Sequence, residues 1–108
     1  MARGPEGKIQ DAVVKHAKKL GMLPKKNETG RYFVGSGWPD YTIYVGGTYA
    51  DGFVRDPRTF FVEFKAPGGK LTPLQKKIRE ELEHLGFEYY VVDDVAKGKQ
   101  ILDEENDK

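Results

Sequence analysis

Thr59-Phe60-Phe61-Val62-Glu63-Phe64-Lys65-Ala66 is the stretch on which the reading of this chain turns. Eight residues dense in aromatic and β-branched side chains predict a strand. Its period of two puts Phe60, Val62 and Phe64 on one face and Phe61, Glu63 and Lys65 on the other. An acid and a base therefore share a face, about 7 Å apart along the backbone. A lone Glu-x-Lys on a strand is ordinarily a pair of solvated charges, so its weight depends on what surrounds it.

Toward the N-terminus, Tyr41 to Val45 predicts a second strand, with Tyr41, Ile43 and Val45 on an apolar face and Asp40, Thr42 and Tyr44 on the opposite one. If the two strands are neighbours, Asp40 meets Glu63. Two converging carboxylates supply the oxygen ligands a hard divalent cation needs, and a lysine two residues beyond one of them can orient or activate water. Asp40 after Pro39 also reads as an ordinary turn residue. Another strand is predicted over Arg31 to Val34. Gly46-Gly47 and Asp51-Gly52 mark a long connection from Gly46 to Arg58 that is open to reading as a dimer arm, a DNA clamp or a disordered loop.

Helices frame these strands. Pro5 suits a first helical position, Ile9, Val13, Ala17 and Leu20 recur at helical spacing, and Gly21 ends the run. Glu6 falls inside that stripe by angle; it is either a first-turn acid favoured by the helix dipole or a carboxylate aimed at the sheet. A second helix is predicted over Pro73 to Leu85, capped by Thr72, with Leu74, Ile78, Leu82 and Leu85 as its buried stripe. Thr72-x-x-Gln75 is a capping-box pattern, which on its own would occupy the Gln75 side chain. Phe87 to Val92 reads as a buried strand, Asp94 to Leu102 as a short last helix, and Asp103 to Lys108 as a frayed acidic tail. The result is one α/β domain over residues 1–102, ordered α-β-β-β-α-β-α, with a mixed sheet flanked by helices.

At 108 residues the chain has room for one core and no separate cofactor domain. It has no cysteine, which removes disulfides, thiolate zinc sites, Fe–S clusters and a cysteine nucleophile. Ser36 is the only serine, and nothing places His16 or His84 beside it, which argues against triad hydrolysis. No apolar stretch approaches a membrane span and no signal-like segment opens the chain. The expectation is a soluble cytoplasmic protein of a bacterial or phage-infected cell, with no membrane partner and no organic cofactor. Residues 1–79 carry 15 Lys and Arg against 7 Asp and Glu, whereas residues 80–108 carry 3 against 10. A basic working surface of that kind attracts polyanions. Lys70, after the turn Pro67-Gly68-Gly69, and Lys76, Lys77 and Arg79 on the polar side of the second helix are the candidate phosphate contacts. Trp38 and Tyr44 read as core or rim packing, with base stacking as the alternative.

Gly37-Trp38-Pro39-Asp40 followed by Phe61-Val62-Glu63-Phe64-Lys65 resembles the PD-(D/E)xK nuclease superfamily. An early helical glutamate, Glu6, a G-x-P-D turn, an ExK strand and a following glutamine, Gln75, are together similar to its VRR-NUC branch, over about residues 5 to 92. The resemblance implies a restriction-endonuclease-like core and a metal-dependent DNA endonuclease. It further implies that Asp40, Glu63 and the Phe64 carbonyl hold Mg²⁺ or Mn²⁺, that Lys65 orients the attacking water, and that Glu6 and Gln75 complete the metal and water network. Stand-alone members resemble phage replication-repair enzymes that act as homodimers on branched DNA such as four-way junctions. The competing reading is a catalytically silent module of the same fold that binds branched DNA.

Overall fold

The chain runs α1 (Pro5–Lys19), β1 (Leu23–Lys26), β2 (Tyr41–Val45), β3 (Thr48–Ala50), β4 (Phe53–Arg55), β5 (Arg58–Phe64), α2 (Pro73–His84), β6 (Glu88–Val92) and α3 (Val95–Asp107) in the computed structural model, which describes residues 4–27, 37–50 and 52–108. Among the described residues four strands form one mixed sheet in the order β1-β2-β5-β6, with β5 and β6 parallel and the other pairs antiparallel. A parallel neighbour needs a crossover, and α2 supplies it. The sequence β-β-β-α-β after a first helix is therefore present, with β1, β2 and β5 as its three antiparallel strands. The strand predicted over Arg31 to Val34 lies outside the described residues. Among the described residues the third antiparallel strand is Leu23–Lys26, whose Leu-Pro-Lys-Lys sequence carries little strand signal, in keeping with an edge position where proline is tolerated.

Both faces of β5 are covered, which is why five successive residues from Phe60 to Phe64 are buried. On one face, Phe60, Val62 and Phe64 join Ile43, Val45 and Val92 beneath Ile9, Val13 and Ala17 of α1 and Leu102 of α3. On the other, Phe61 and Tyr89 pack under Leu82 and Ile78 of α2. Gly98 is where α3 meets α1: a Cβ there would lie 2.6 Å from Val13 Cγ2 and 2.8 Å from Val92 Cγ1, so only glycine permits this approach.

The remaining differences from expectation have physical causes. Leu85 is 71% exposed and Leu74 40% exposed, so the buried stripe of α2 narrows to Ile78 and Leu82. Leu85 is the C-cap, beyond the last turn that the sheet can cover. The Gly46 to Arg58 connection contains a two-stranded hairpin, with Tyr49 opposite Val54 and Ala50 opposite Phe53. Residues 103–107, expected to fray, continue α3, and Glu105 is fully buried. Its carboxylate accepts Lys108 Nζ–H at 3.1 Å, shares the single Tyr90 Oη–H (3.1 Å) with Glu88 Oε2 (2.6 Å), and lies 3.5 Å from the Arg58 guanidinium. Those partners anchor the acidic end that composition alone would release to solvent. Among the described residues no helix is long and apolar enough to cross a membrane.

Candidate active site

Register brings the two carboxylates together. Tyr41 pairs with Val62, so one step further places Asp40 opposite Glu63 where β2 begins and β5 ends. There the regular ladder stops, because the next residue opposite Phe64 is Pro39, which has no N–H to donate. The Phe64 N–H donates to Asp40 Oδ2 at 2.8 Å. In an extended strand the carbonyl of a residue points to the same side as its N–H, so the Phe64 carbonyl faces the Asp40 side, opposite a proline nitrogen that carries no hydrogen. Asp40 is half-buried and Glu63 is 4% exposed.

Glu63 is the most constrained member. Its Oε2 accepts from Gln75 Nε2 at 3.1 Å and lies 3.7 Å from Lys65 Nζ, while its buried Oε1 finds no donor. Burial and then the adjacent Asp40 charge push the Glu63 carboxyl from 4.5 up to about 7, against the opposing pull of Lys65. So deep a carboxyl, beside a second carboxylate and with one oxygen unpaired, keeps its charge at neutral pH only where a cation beyond Lys65 stands against it.

Gln75 resolves the competition between cap and site by doing both at once. Its Oε1 accepts the Thr72 N–H at 2.9 Å while Thr72 Oγ1 accepts the Gln75 N–H at 3.2 Å, which completes the capping box. The amide nitrogen at the other end remains free to reach Glu63. No side-chain movement is needed, contrary to the expectation that the cap would occupy the side chain, because an amide carries an acceptor on one arm and a donor on the other.

The turn that holds Asp40 is fixed by a residue that no sequence pattern singles out. Asn27, just past β1, donates its backbone N–H to the Asp40 carbonyl at 2.8 Å and its Nδ2–H to the Pro39 carbonyl at 3.0 Å. Its Oδ1 in turn accepts from buried Thr42 Oγ1 at 3.1 Å. Only the edge-strand register, invisible in the composition of Leu23–Lys26, places Asn27 there.

Glu6 is not brought into the cluster. It is exposed in the first turn of α1, and among the described residues no three His, Cys, Asp or Glu converge. The buried stripe of α1 starts one turn later, at Ile9 and Gln10, and the unsatisfied amides of the helix start favour an anion in water there. The donor set is then two carboxylates and one carbonyl, all oxygen. That set suits Mg²⁺ or Mn²⁺, which take one or two protein carboxylates and complete their shells with water and phosphate.

Lys70, Lys76 and Arg79 border one shallow groove, together with Leu71, Glu80 and Glu83. Lys70 follows a tight turn in which Gly68 has φ +78 and the Gly69 N–H meets the Ala66 carbonyl at 2.8 Å. Lys76 and Lys77 are exposed. Arg79 is engaged within the protein: its Nε–H donates to Glu83 at 3.2 Å and its guanidinium lies 5.4 Å from the centre of the Tyr89 ring.

A solved structure described as a VRR_NUC domain superposes with a TM-score of 0.70 at 24% sequence identity, covering 94% of this chain and 97% of that one. The resemblance read from the G-x-P-D turn and the ExK strand is thus borne out in the fold: a mixed sheet flanked by helices, arranged as in that domain. No protein-family model matches the sequence, and no curated protein does.

Proposed function

We propose that this protein is a metal-dependent DNA endonuclease that acts on branched DNA. The observation that carries the reading is the buried Glu63 carboxylate with one oxygen unpaired, beside Asp40 and within reach of Lys65 and Gln75. The VRR_NUC fold supports the same chemistry. Asp40, Glu63 and the Phe64 carbonyl would hold the cation. When bound, Mg²⁺ or Mn²⁺ supplies charge neutralisation at the phosphate and lowers the pKa of water. Gln75 holds Glu63 in place from the start of α2, and the Phe64 N–H holds Asp40, so both carboxylates are oriented before any ligand arrives. Lys65 Nζ lies beside Glu63, suited as the ammonium to orienting the attacking water and, in its neutral form, to taking the proton from it.

Cleavage of labelled single-stranded, duplex, flap and four-way-junction DNA with and without Mg²⁺ tests the proposal. Metal-dependent cuts, lost in Asp40→Ala protein that still folds, are expected. Binding of junctions with no cleavage at any metal concentration would favour the silent module. Lys65→Ala is expected to keep its metal affinity and lose on the order of 10²-fold in rate, with an altered pH–rate profile. An unchanged profile and rate would remove Lys65 from the reaction.

Duplex contact is proposed through Lys70, Lys76 and Lys77, with Arg79 in a lesser role because Glu83 and Tyr89 already hold it. Replacing Lys76 and Lys77 by alanine should flatten the slope of log K against log salt by roughly 0.9 per lost phosphate contact, read by anisotropy over a salt series. A parallel slope would turn those side chains away from DNA.

A homodimer is proposed through the β3–β4 hairpin. Tyr49, Phe53 and Val54 are 71%, 63% and 67% exposed, and their register puts Phe53 on the opposite side of the ribbon from the other two. A two-fold pair would present two sites to the two equivalent strands of a junction. Sedimentation equilibrium at micromolar concentration should give a mass near two chains, reduced toward one by Tyr49→Asp with Phe53→Asp. A monomer that still cuts both strands would refute the arrangement.

A further inference from the structure

Trp38 is the single tryptophan of the chain and lies in the turn that carries Asp40, two residues away. It is 43% exposed, although tryptophan is among the most buried residues on average. The turn beneath it is rigid. Pro39 is fully buried, and Gly37 lies so close to Leu74 that a Cβ would stand 2.5 Å from Leu74 Cγ. The indole packs edge-to-face with Phe61, the ring centres 5.8 Å apart at an interplanar angle of 81°. Phe61 and Glu63 share a face of β5 about 7 Å apart, so the indole stands on the sheet face that bears the carboxylates. That spacing is about two nucleotides at the 3.4 Å rise of a stacked strand.

The surroundings say what would cover the ring. Leu74, 40% exposed, extends the apolar surface beside it, and exposed Lys77 lies one turn further along the same side of α2. A flat, fixed aromatic face bordered by a cation and adjoining two carboxylates fits a nucleobase attached to a phosphate backbone better than an apolar protein surface. We infer that Trp38 is the stacking platform for an unpaired base within about two nucleotides of the bond cut, so that the substrate must expose an unstacked base there. This rests on the nuclease reading above and deepens it: a base within an intact duplex already has both faces covered, whereas a flap, gap or junction centre offers one.

The test uses the full chain in EDTA, so that no DNA is cut. Two labelled DNAs of equal length, one fully paired and one with a single-stranded flap, are titrated against protein while anisotropy reports binding and intrinsic emission reports Trp38. The flap is expected to quench the emission, and the paired duplex to bind with little change in it. Trp38→Ala should weaken flap binding by about 5- to 100-fold while leaving paired-duplex affinity unchanged. Trp38→Phe, which keeps a ring against Phe61, should lose less and controls for folding. Flap binding by anisotropy with unmoved Trp38 emission, or an equal loss on both DNAs in Trp38→Ala, would overturn the stacking role alone. Absence of binding to either DNA would overturn the nuclease reading and the stacking role with it.

Discussion

Glu63→Gln protein held in a chelator at pH 8 is expected to melt higher than the parent, yet to cut no DNA when Mg²⁺ is restored. The sign follows from the buried carboxylate. In the folded chain Glu63 binds its proton up to about pH 7, against 4.5 for the group in water, because burial and Asp40 disfavour its charge. A raised carboxyl pKa gives stability that is complete below pH 4.5 and is lost as the pH rises through 7. By pH 8 that loss is on the order of 3 kcal/mol. Glutamine is neutral throughout and keeps the shape. Lys65 loses its anion in the variant and offsets part of the gain, so a rise in melting temperature of about 5–10 °C is expected. Added Mg²⁺ should reverse the order, stabilising the parent in proportion to ligand saturation and leaving the variant unmoved. Cleavage should fall on the order of 10³-fold or more. A variant that melts lower in chelator at pH 8 and equally at pH 5 would make Glu63 a structural residue instead.

The contrast between what sequence did and did not reveal has a consistent cause. Period-two alternation in Thr59 to Ala66 and in Tyr41 to Val45 records which face each residue occupies, and faces are what bring Asp40 to Glu63 once the strands pair. Gln75 was legible in two parts: the capping box fixed the start of α2 and spoke for a cap alone, and the resemblance, not the pattern, pointed its side chain to the site. Asn27, by contrast, acts through the edge pairing of β1, whose four residues include a proline and two lysines and show no alternation. Glu6 shows where the pattern stops, because helical angle assigns a side but not a depth: at the first turn of α1 its side chain is exposed. The β3–β4 hairpin was opaque because its apolar side chains face solvent on both sides, so no buried face imposes a pattern.

The acidic end of the chain is where composition and structure diverge most, and the expected consequence is large. Glu105→Ala should cost about 3–5 kcal/mol, the usual result of removing one member of a buried ion pair and leaving the other without a counter-charge. Arg58 would lose the carboxylate 3.5 Å away, Tyr90 Oη an acceptor at 3.1 Å, and Lys108 one of its two anions. Arg55 also donates to the Glu105 carbonyl at 3.2 Å, which ties the base of the exposed hairpin to α3. Glu105→Gln keeps that volume and an acceptor for Tyr90, so it should lose less than alanine does. Neighbouring Glu88 adds a pH signature. Burial alone would raise its pKa, but hydrogen bonds from Lys108 and Tyr90 outweigh that and hold it at about 2. A depressed carboxylate stabilises the fold above pH 4.5 and ceases to do so as the pH falls toward 2, so the parent should lose stability across that acid window. Glu88→Gln should lose less over the same window. Denaturation of the three variants and the parent by urea at pH 7 and pH 3 separates these effects. An alanine variant within about 0.5 kcal/mol of the parent at pH 7 would return residues 103–108 to the frayed tail that their charge suggests.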